Sequence, residues 1–344
     1  MREIEESIRQ LEQEENLVDR DYQEIYKYPN NYEKYPDNIY PPEVKQVENK
    51  KYTMYMARFN SLYSLYDYLK SEPELNRCVF RVLHSVHNES YFAGKPYKEA
   101  LEDLVDETDS GYKEFLKLQK DINNARTMDV HKYKLVRTVA GGHLNIPLYS
   151  AGVPLCYETE EKIRKPRFVR IHVTLSYYCG TTKDQVLHRA VIITNIIKAL
   201  ERAGYNVELN TFELSKEDDE LIYIIIAIKK YGQKINMSAL YKTLCNVEFL
   251  RRIMFRILES LDVKRDWGDG YGQTTSEQFT RKALNLNEFD IFFDQPSEMG
   301  IKGKNLAEDF ERAIKHLSLE DKIDVDKAKK EFNESVLTLR RKNK

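Results

Sequence analysis

Between Phe168 and Lys229 the chain spells out one folding unit, and this stretch constrains the fold more than any other. Phe168 to Leu175 (FVRIHVTL) places Val169, Ile171, Val173 and Leu175 on one face, the period of two that a half-buried strand requires. Lys183 to Ala203 changes the period. Val186, Ala190, Ile193, Ile197 and Leu200 form a helical stripe, and Gly204 stops it. Asn206 to Leu214 and Leu221 to Lys229 return to strand character. The apolar run LIYIIIAI (Leu221 to Ile228) is far short of the ~20 residues a bilayer crossing needs, so it reads as a buried strand. A strand, a long crossover helix and a second strand make a βαβ unit. This predicts an α/β fold: a βαβ-containing sheet flanked by helices.

Around this core, over residues 158–300, the rest of the chain divides by pattern. Ile4, Ile8, Leu11, Val18, Tyr22 and Ile25 follow a heptad seam broken at Glu15, which predicts an N-terminal helix over residues 1–26. Such a seam either seeks a partner or lies on its own domain. Tyr26 to Glu43 holds four of the ten prolines and shows neither helical nor strand periodicity. Proline removes backbone donors and pushes its predecessor toward extended conformations, so residues 27–56 read as an extended Tyr/Pro-rich strap. Eight tyrosines lie between Tyr22 and Tyr55. They serve either as docking anchors or as packing against the protein's own body.

Residues 57–157 read as a mainly helical subdomain. Helices are expected over Phe59 to Leu69, with Asn60 or Ser61 as cap, and over Cys78 to Val86, Pro96 to Val105 and Tyr112 to Ala125. An irregular Gly/Pro-bearing stretch, NIPLYSAGVPLCY, follows. Within the core, further helices are expected over Met237 to Leu244 and Val247 to Leu261, with a short strand near Asp290 to Phe293. Residues 301–344 read as a C-terminal helical basic tail, in which Val325, Ala328, Phe332, Val336 and Leu339 share a face.

Charge and cysteine content narrow the functional classes. With 54 basic and 56 acidic residues there is no global positive field to draw nucleic acid or anionic lipid. The ends differ, however. Residues 1–50 carry 13 acidic and 7 basic residues, and residues 327–344 carry 7 basic and 2 acidic. Cys78, Cys156, Cys179 and Cys245 form no CxxC pair and read as reduced thiols; with no leader-like N-terminus, a cytoplasmic protein is expected.

No GxxxxGK[ST], GxGxxG or GxSxG element is present. Gly268, Gly270 and Gly272 read as a surface turn. His84 and His87, three residues apart, have no third ligand at matching spacing, and Glu217-Asp218-Asp219-Glu220 reads as a solvated turn.

Phe168 to Phe212, entering its second strand through LERAGYNVEL, resembles the opening of von Willebrand factor A-like domains. In that family an Asp-x-Ser-x-Ser pattern at the end of the first strand holds a magnesium-type ion. The matching positions here are His172, Thr174 and Ser176, so the carboxylate is missing. The resemblance therefore implies a degenerate site with no resident metal and no cofactor, since two hydroxyls and an imidazole are poor ligands for a hard cation.

Residues from about Phe59 to Gln273 more loosely resemble an uncharacterised family encoded by tailed bacteriophages. FAGKPYKEAL, GGHLNIPLYSAGVPLCY, His188-Arg189-Ala190, VEFLRRIMFRILE and Gly270-Tyr271-Gly272 carry that likeness. It implies the cytoplasm of an infected host and no known activity.

The binding residues singled out are Arg251, Arg252, Arg256 and Tyr271. Arg252 and Arg256 stand four apart on a predicted helix, able to grip phosphate or to form internal salt bridges. The leading expectation is a non-catalytic macromolecule-binding or assembly protein that self-associates or meets a protein partner through residues 1–55, with no membrane role. The alternative is nucleic-acid binding through the three arginines and the basic end Arg340 to Lys344. The third is a metal-dependent enzyme of unrecognised type.

Overall fold

The computed structural model describes residues 38–76, 80, 83–87, 94–105, 110–118, 132–163, 167–178, 180–246, 248–264, 267, 275–287, 289–320 and 323–330. The expected N-terminal helix, the part of the basic tail beyond residue 330 and the Gly268 to Gly272 turn lie outside them. Residues from Pro42 onward form one compact unit.

Its centre is a six-stranded mixed sheet of β1 (Ile39–Val47), β2 (Lys50–Phe59), β6 (Arg167–Thr174), β7 (Tyr205–Glu217), β8 (Glu220–Lys229) and β9 (Ile291–Phe293), in the order β1-β2-β8-β7-β6-β9. A second sheet has three strands, β3 (Lys132–Thr138), β4 (His143–Leu144) and β5 (Tyr157–Ile163), ordered β3-β5-β4. The βαβ reading holds: β6 and β7 are parallel neighbours joined by the helix Lys183–Arg202, and β8 returns antiparallel to β7. The run LIYIIIAI is buried throughout its strand except at Ile228, as a central strand covered on both faces must be.

On one face Met54, Phe212, Leu214, Leu221, Tyr223 and Phe292 form a cluster with Ala283 and Phe279 of the helix Glu277–Ala283. On the other, Phe59 meets Tyr68 of α1 (Leu62–Lys70) with ring centroids 5.4 Å apart. Ser61 caps α1, its hydroxyl accepting from the Ser64 amide at 3.1 Å.

The structure corrects three expectations. The strap over residues 27–56 is extended from Ile39 onward, but as two strands of the main sheet and not as a connector. Pro41 and Pro42 fit there because β1 is an edge strand, where missing donors cost no ladder bonds. The turn uses Glu48 and Asn49 at φ +50° and +68°, the paired positive angles of a type I′ hairpin. The subdomain over residues 57–157 holds the three-stranded sheet as well as helices, and that sheet runs past residue 157.

Third, the charged link between β7 and β8 is shorter than expected. Glu220 is buried and accepts from Tyr55 Oη at 3.2 Å and from Trp267 Nε1 at 3.0 Å. The phenol's own burial, and after it the Glu220 charge, push Tyr55 up to about 12. Glu220→Ala would leave two buried donors unpaired, and a loss of about 2 kcal/mol is expected. Urea unfolding followed by the fluorescence of Trp267, the chain's single tryptophan, measures it.

Candidate functional site

β6 has β7 on one side and β9 on the other, both parallel to it, although the chain passes from β6 to β7 long before it reaches β9. A parallel sheet that switches direction in this way opens a crevice outside the carboxyl ends of its strands. Here that place is occupied by Thr174 to Tyr178 leaving β6, Glu213 and Ser215 on β7, and Asp294 and Gln295 leaving β9.

The period of two along β6 and β7 puts polar side chains on the same side of the ladder. Ser176 Oγ donates to Glu213 Oε2 at 2.5 Å, and Ser215 Oγ donates to Oε1 at 3.0 Å. Glu213 is fully buried, and burial pushes its carboxyl up to about 7 against the pull of the two serines and of the Arg251 charge. Beside it α6 (Lys183–Arg202, with α2 His84–His87, α3 Tyr97–Asp103, α4 Ser110–Leu118 and α5 Ile146–Ser150 before it) delivers Arg189, which is 2% exposed.

The Arg189 guanidinium donates through Nη2 to the Thr174 carbonyl and stands 5.2 Å from the Tyr177 ring centroid. Its Nε and Nη1 have no hydrogen-bond partner among the described residues. Asp294 lies within its field: burial raises the Asp294 carboxyl, while the Gln295 amide and Arg189 pull it back. Gln295 Oε1 in turn accepts from the Tyr178 amide at 2.9 Å.

Of the positions singled out in the sequence, Thr174 and Ser176 belong to this cluster. His172 is buried farther back along β6, its Nε2 3.7 Å from Asp290 Oδ2, beyond hydrogen-bond length. Burial pushes Asp290 up, but His172 and Arg170 outweigh it and hold the carboxyl below its usual range. These residues do not suit a divalent cation. The Ser176 hydroxyl is committed to Glu213, a guanidinium sits on the Thr174 carbonyl, and among the described residues no three His, Cys, Asp or Glu gather as ligands.

A family model described as a domain of unknown function, DUF7192, matches residues 36–321. The chain belongs to the DUF7192 family. No curated protein and no solved structure matches it. The DUF7192 match begins just ahead of β1 and spans both sheets, so the hairpin and the three-stranded module are parts of the family's domain and not appendages.

Of the three arginines singled out in this DUF7192 chain, Arg252 is buried and Arg251 and Arg256 are half-buried. They lie on a π-helical turn (Phe249–Met254) running into α8 (Phe255–Glu259), which follows α7 (Met237–Leu244). Arg252 is buried and donates to the Lys95 and Ser85 carbonyls at 2.9 and 3.1 Å. Arg251 and Arg256 lie over the rings of Phe255 and Tyr97 at 5.4 and 5.0 Å. Tyr271 is outside the described residues.

Glu213 and Arg189 escaped the sequence reading, though each left a trace. Thr211, Glu213 and Ser215 alternate on one face of β7, and Arg189 interrupts an apolar helix between Val186, Ala190 and Ile193. A carboxyl near neutrality hydrogen-bonded to a serine is acid–base chemistry in kind, yet its complete burial leaves it without access to a substrate.

Proposed function

We propose that the chain is a non-catalytic binding and assembly protein, and that its contact surface is the apolar face of the module at residues 132–163, seated on a second copy of the chain. One observation carries the reading. Val139, Leu144, Ile146, Tyr149, Val153 and Leu155 are all exposed within one short stretch, Val139, Ile146 and Tyr149 by 68, 67 and 62%. No residue of α5 is buried. Soluble monomers seldom leave so many large apolar side chains together in water, and such patches mark interaction sites. The opposite charge of the two chain ends, acidic over residues 1–50 and basic over 327–344, favours contact between copies. Of the region first expected to mediate assembly, residues 42–55 are spent within the main sheet, which shifts the reading toward the module.

Three finer parts belong to the same proposal. A degenerate von Willebrand A-like core is supported by the order strand, helix, parallel strand over residues 167–217. A phage origin, with the infected cytoplasm as its compartment, rests on the resemblance in FAGKPYKEAL and its companion motifs; no helix among the described residues is long and apolar enough to cross a membrane. The absence of a resident cofactor rests on the commitments of Ser176 and Arg189. Nucleic-acid binding is the weaker reading, because Arg252 is turned inward.

Light scattering over a concentration series tests the assembly. The wild-type chain is expected above the mass of one chain, and Ile146→Glu with Tyr149→Glu is expected to return it to the monomer. A wild type that is monomeric at all concentrations, or a double variant that assembles unchanged, overturns the proposal.

A further inference from the structure

α6 carries one arginine into the interior at the carboxyl end of β6. Arg189 is 2% exposed, and its Nη2 donates to the carbonyl of Thr174, the last residue of the strand. The chain passes from Thr174 to the start of α6, so the positive end of the helix dipole lies on this same side of the sheet. β6 lies here between β7 and β9, both parallel to it, where open α/β sheets receive their ligands. The Tyr177 ring, its centroid 5.2 Å from Arg189 Cζ, gives the guanidinium an aromatic wall.

A guanidinium has five N–H groups and no acceptor, so in the interior each of them calls for an acceptor. Nε and Nη1 of Arg189 meet none among the described residues. Other polar groups of the crevice are engaged with one another. Glu213 takes the hydroxyls of Ser176 and Ser215, and Asp294 Oδ1 takes the Gln295 amide at 2.7 Å. Asp294 acts on Arg189 through its field. Unmet buried donors are costly, and a desolvated cation more so, which is why such a group in a folded chain calls for a partner.

We infer that Arg189 holds a small monovalent anion, of halide size, at the carboxyl end of β6. The anion accepts from one of the two unmet nitrogens together with the second proton of Nη2, whose first proton stays on Thr174. Two features select its size and charge. Arg189 and Tyr177 are both buried, so the place suits an ion and not the body of a substrate. Asp294 disfavours a dianion such as phosphate, because a second negative charge would be repelled by its carboxylate. The ion enters by local opening of the segment Leu175 to Tyr178, which has left the strand and ends in an exposed ring. The apolar module takes no part in this site, so it stands or falls apart from the assembly reading.

Thermal unfolding of the full chain at constant ionic strength, with sodium chloride replacing sodium gluconate step by step, tests it, gluconate being too large for a closed site. The wild-type midpoint is expected to rise with chloride and to level off as one site fills, because a ligand bound to the folded chain alone stabilises it by mass action. The chloride NMR line is expected to broaden over the same range. Arg189→Met is expected to abolish both responses. Asp294→Asn removes the competing negative charge and is expected to tighten chloride binding roughly tenfold. An arginine with a purely structural role predicts no such gain, so this variant decides the matter even where Arg189→Met fails to fold. A wild-type midpoint indifferent to chloride, a response that survives in folded Arg189→Met, or unchanged chloride affinity in Asp294→Asn overturns the inference. Phosphate filling the site in preference to chloride overturns it as well, since the site would then accept a dianion.

Discussion

Replacing Asp309 by alanine is expected to cost about 3–5 kcal/mol of stability, the loss typical of removing one partner from a buried charged network. Asp309 lies on α10 (Leu306–His316), which follows α9 (Glu277–Ala283), and its side chain is fully buried. It accepts from the Lys302 and Gly303 amides at 2.8 and 2.9 Å, from Arg312 Nη2 at 2.5 Å, and stands 2.7 Å from His188 Nδ1 of α6. This one carboxylate therefore ties a loop and two helices together. Gly303 shows how tight the joint is: its φ is +71°, and a Cβ there would come within 2.8 Å of the Gln185 amide nitrogen.

Burial pushes the Asp309 carboxyl up, but the bonds from His188, Lys302, Arg312 and Gly303 prevail and hold it down at about 2. A carboxyl depressed on folding contributes stability above its unfolded value of 3.8, and that contribution is lost as pH falls toward 2. Urea unfolding at pH 7 and at pH 3 reads both effects. The alanine variant should be weaker at pH 7 and should lose less than the wild type on acidification. A deficit under about 1 kcal/mol at pH 7 would mean that the joint is not holding α10 to α6.

The parts of the fold that were legible are those where one periodicity dominates. Val169 to Leu175 and Val186 to Leu200 announce β6 and α6 because each buries one face or one stripe, and Gly204, at φ +86°, ends the helix where the sequence says it should. The β1–β2 hairpin was hidden because Pro41 and Pro42 mimic a connector and the turn uses Glu48-Asn49 in place of a glycine pair. The three-stranded module was hidden because Tyr157 to Ile163 (YETEEKI) carries charge where alternation would signal a strand.

The sites follow the same logic. Thr174 and Ser176 were singled out through the von Willebrand A-like resemblance, as positions of a degenerate metal site, whereas the burial of Glu213 and Arg189 depends on what packs over them. Asn60 and Lys230, which line one cavity, are brought near each other by the pairing of β2 with β8, a contact no local pattern announces.

Glu213→Gln tests the cluster directly, and its effect should depend on pH in one direction. The carboxyl titrates near its ordinary 4.5 in the unfolded chain and at about 7 when buried between Ser176 and Ser215. The folded state thus binds this proton more tightly, so the contribution of Glu213 to stability is fullest below pH 4.5 and declines as pH rises through 7. The shift corresponds to roughly 3 kcal/mol lost by pH 8.

Glutamine keeps the shape and can meet both serine hydroxyls, which rotate to donate or accept, but it carries no charge to desolvate. The variant is therefore expected to match the wild type near pH 5 and to exceed it by roughly 3 kcal/mol at pH 8, measured by urea unfolding. Ser176→Ala supplies the opposing control. Losing a hydrogen bond that favours the charged form should move the Glu213 titration higher and steepen the decline. A wild-type stability that is flat between pH 5 and 8, or a glutamine variant that declines in parallel with it, would show that Glu213 is already ionised in the fold. The Arg251 charge would then outweigh burial, and the crevice at the ends of β6 and β7 would hold a permanent ion pair in place of a neutral acid.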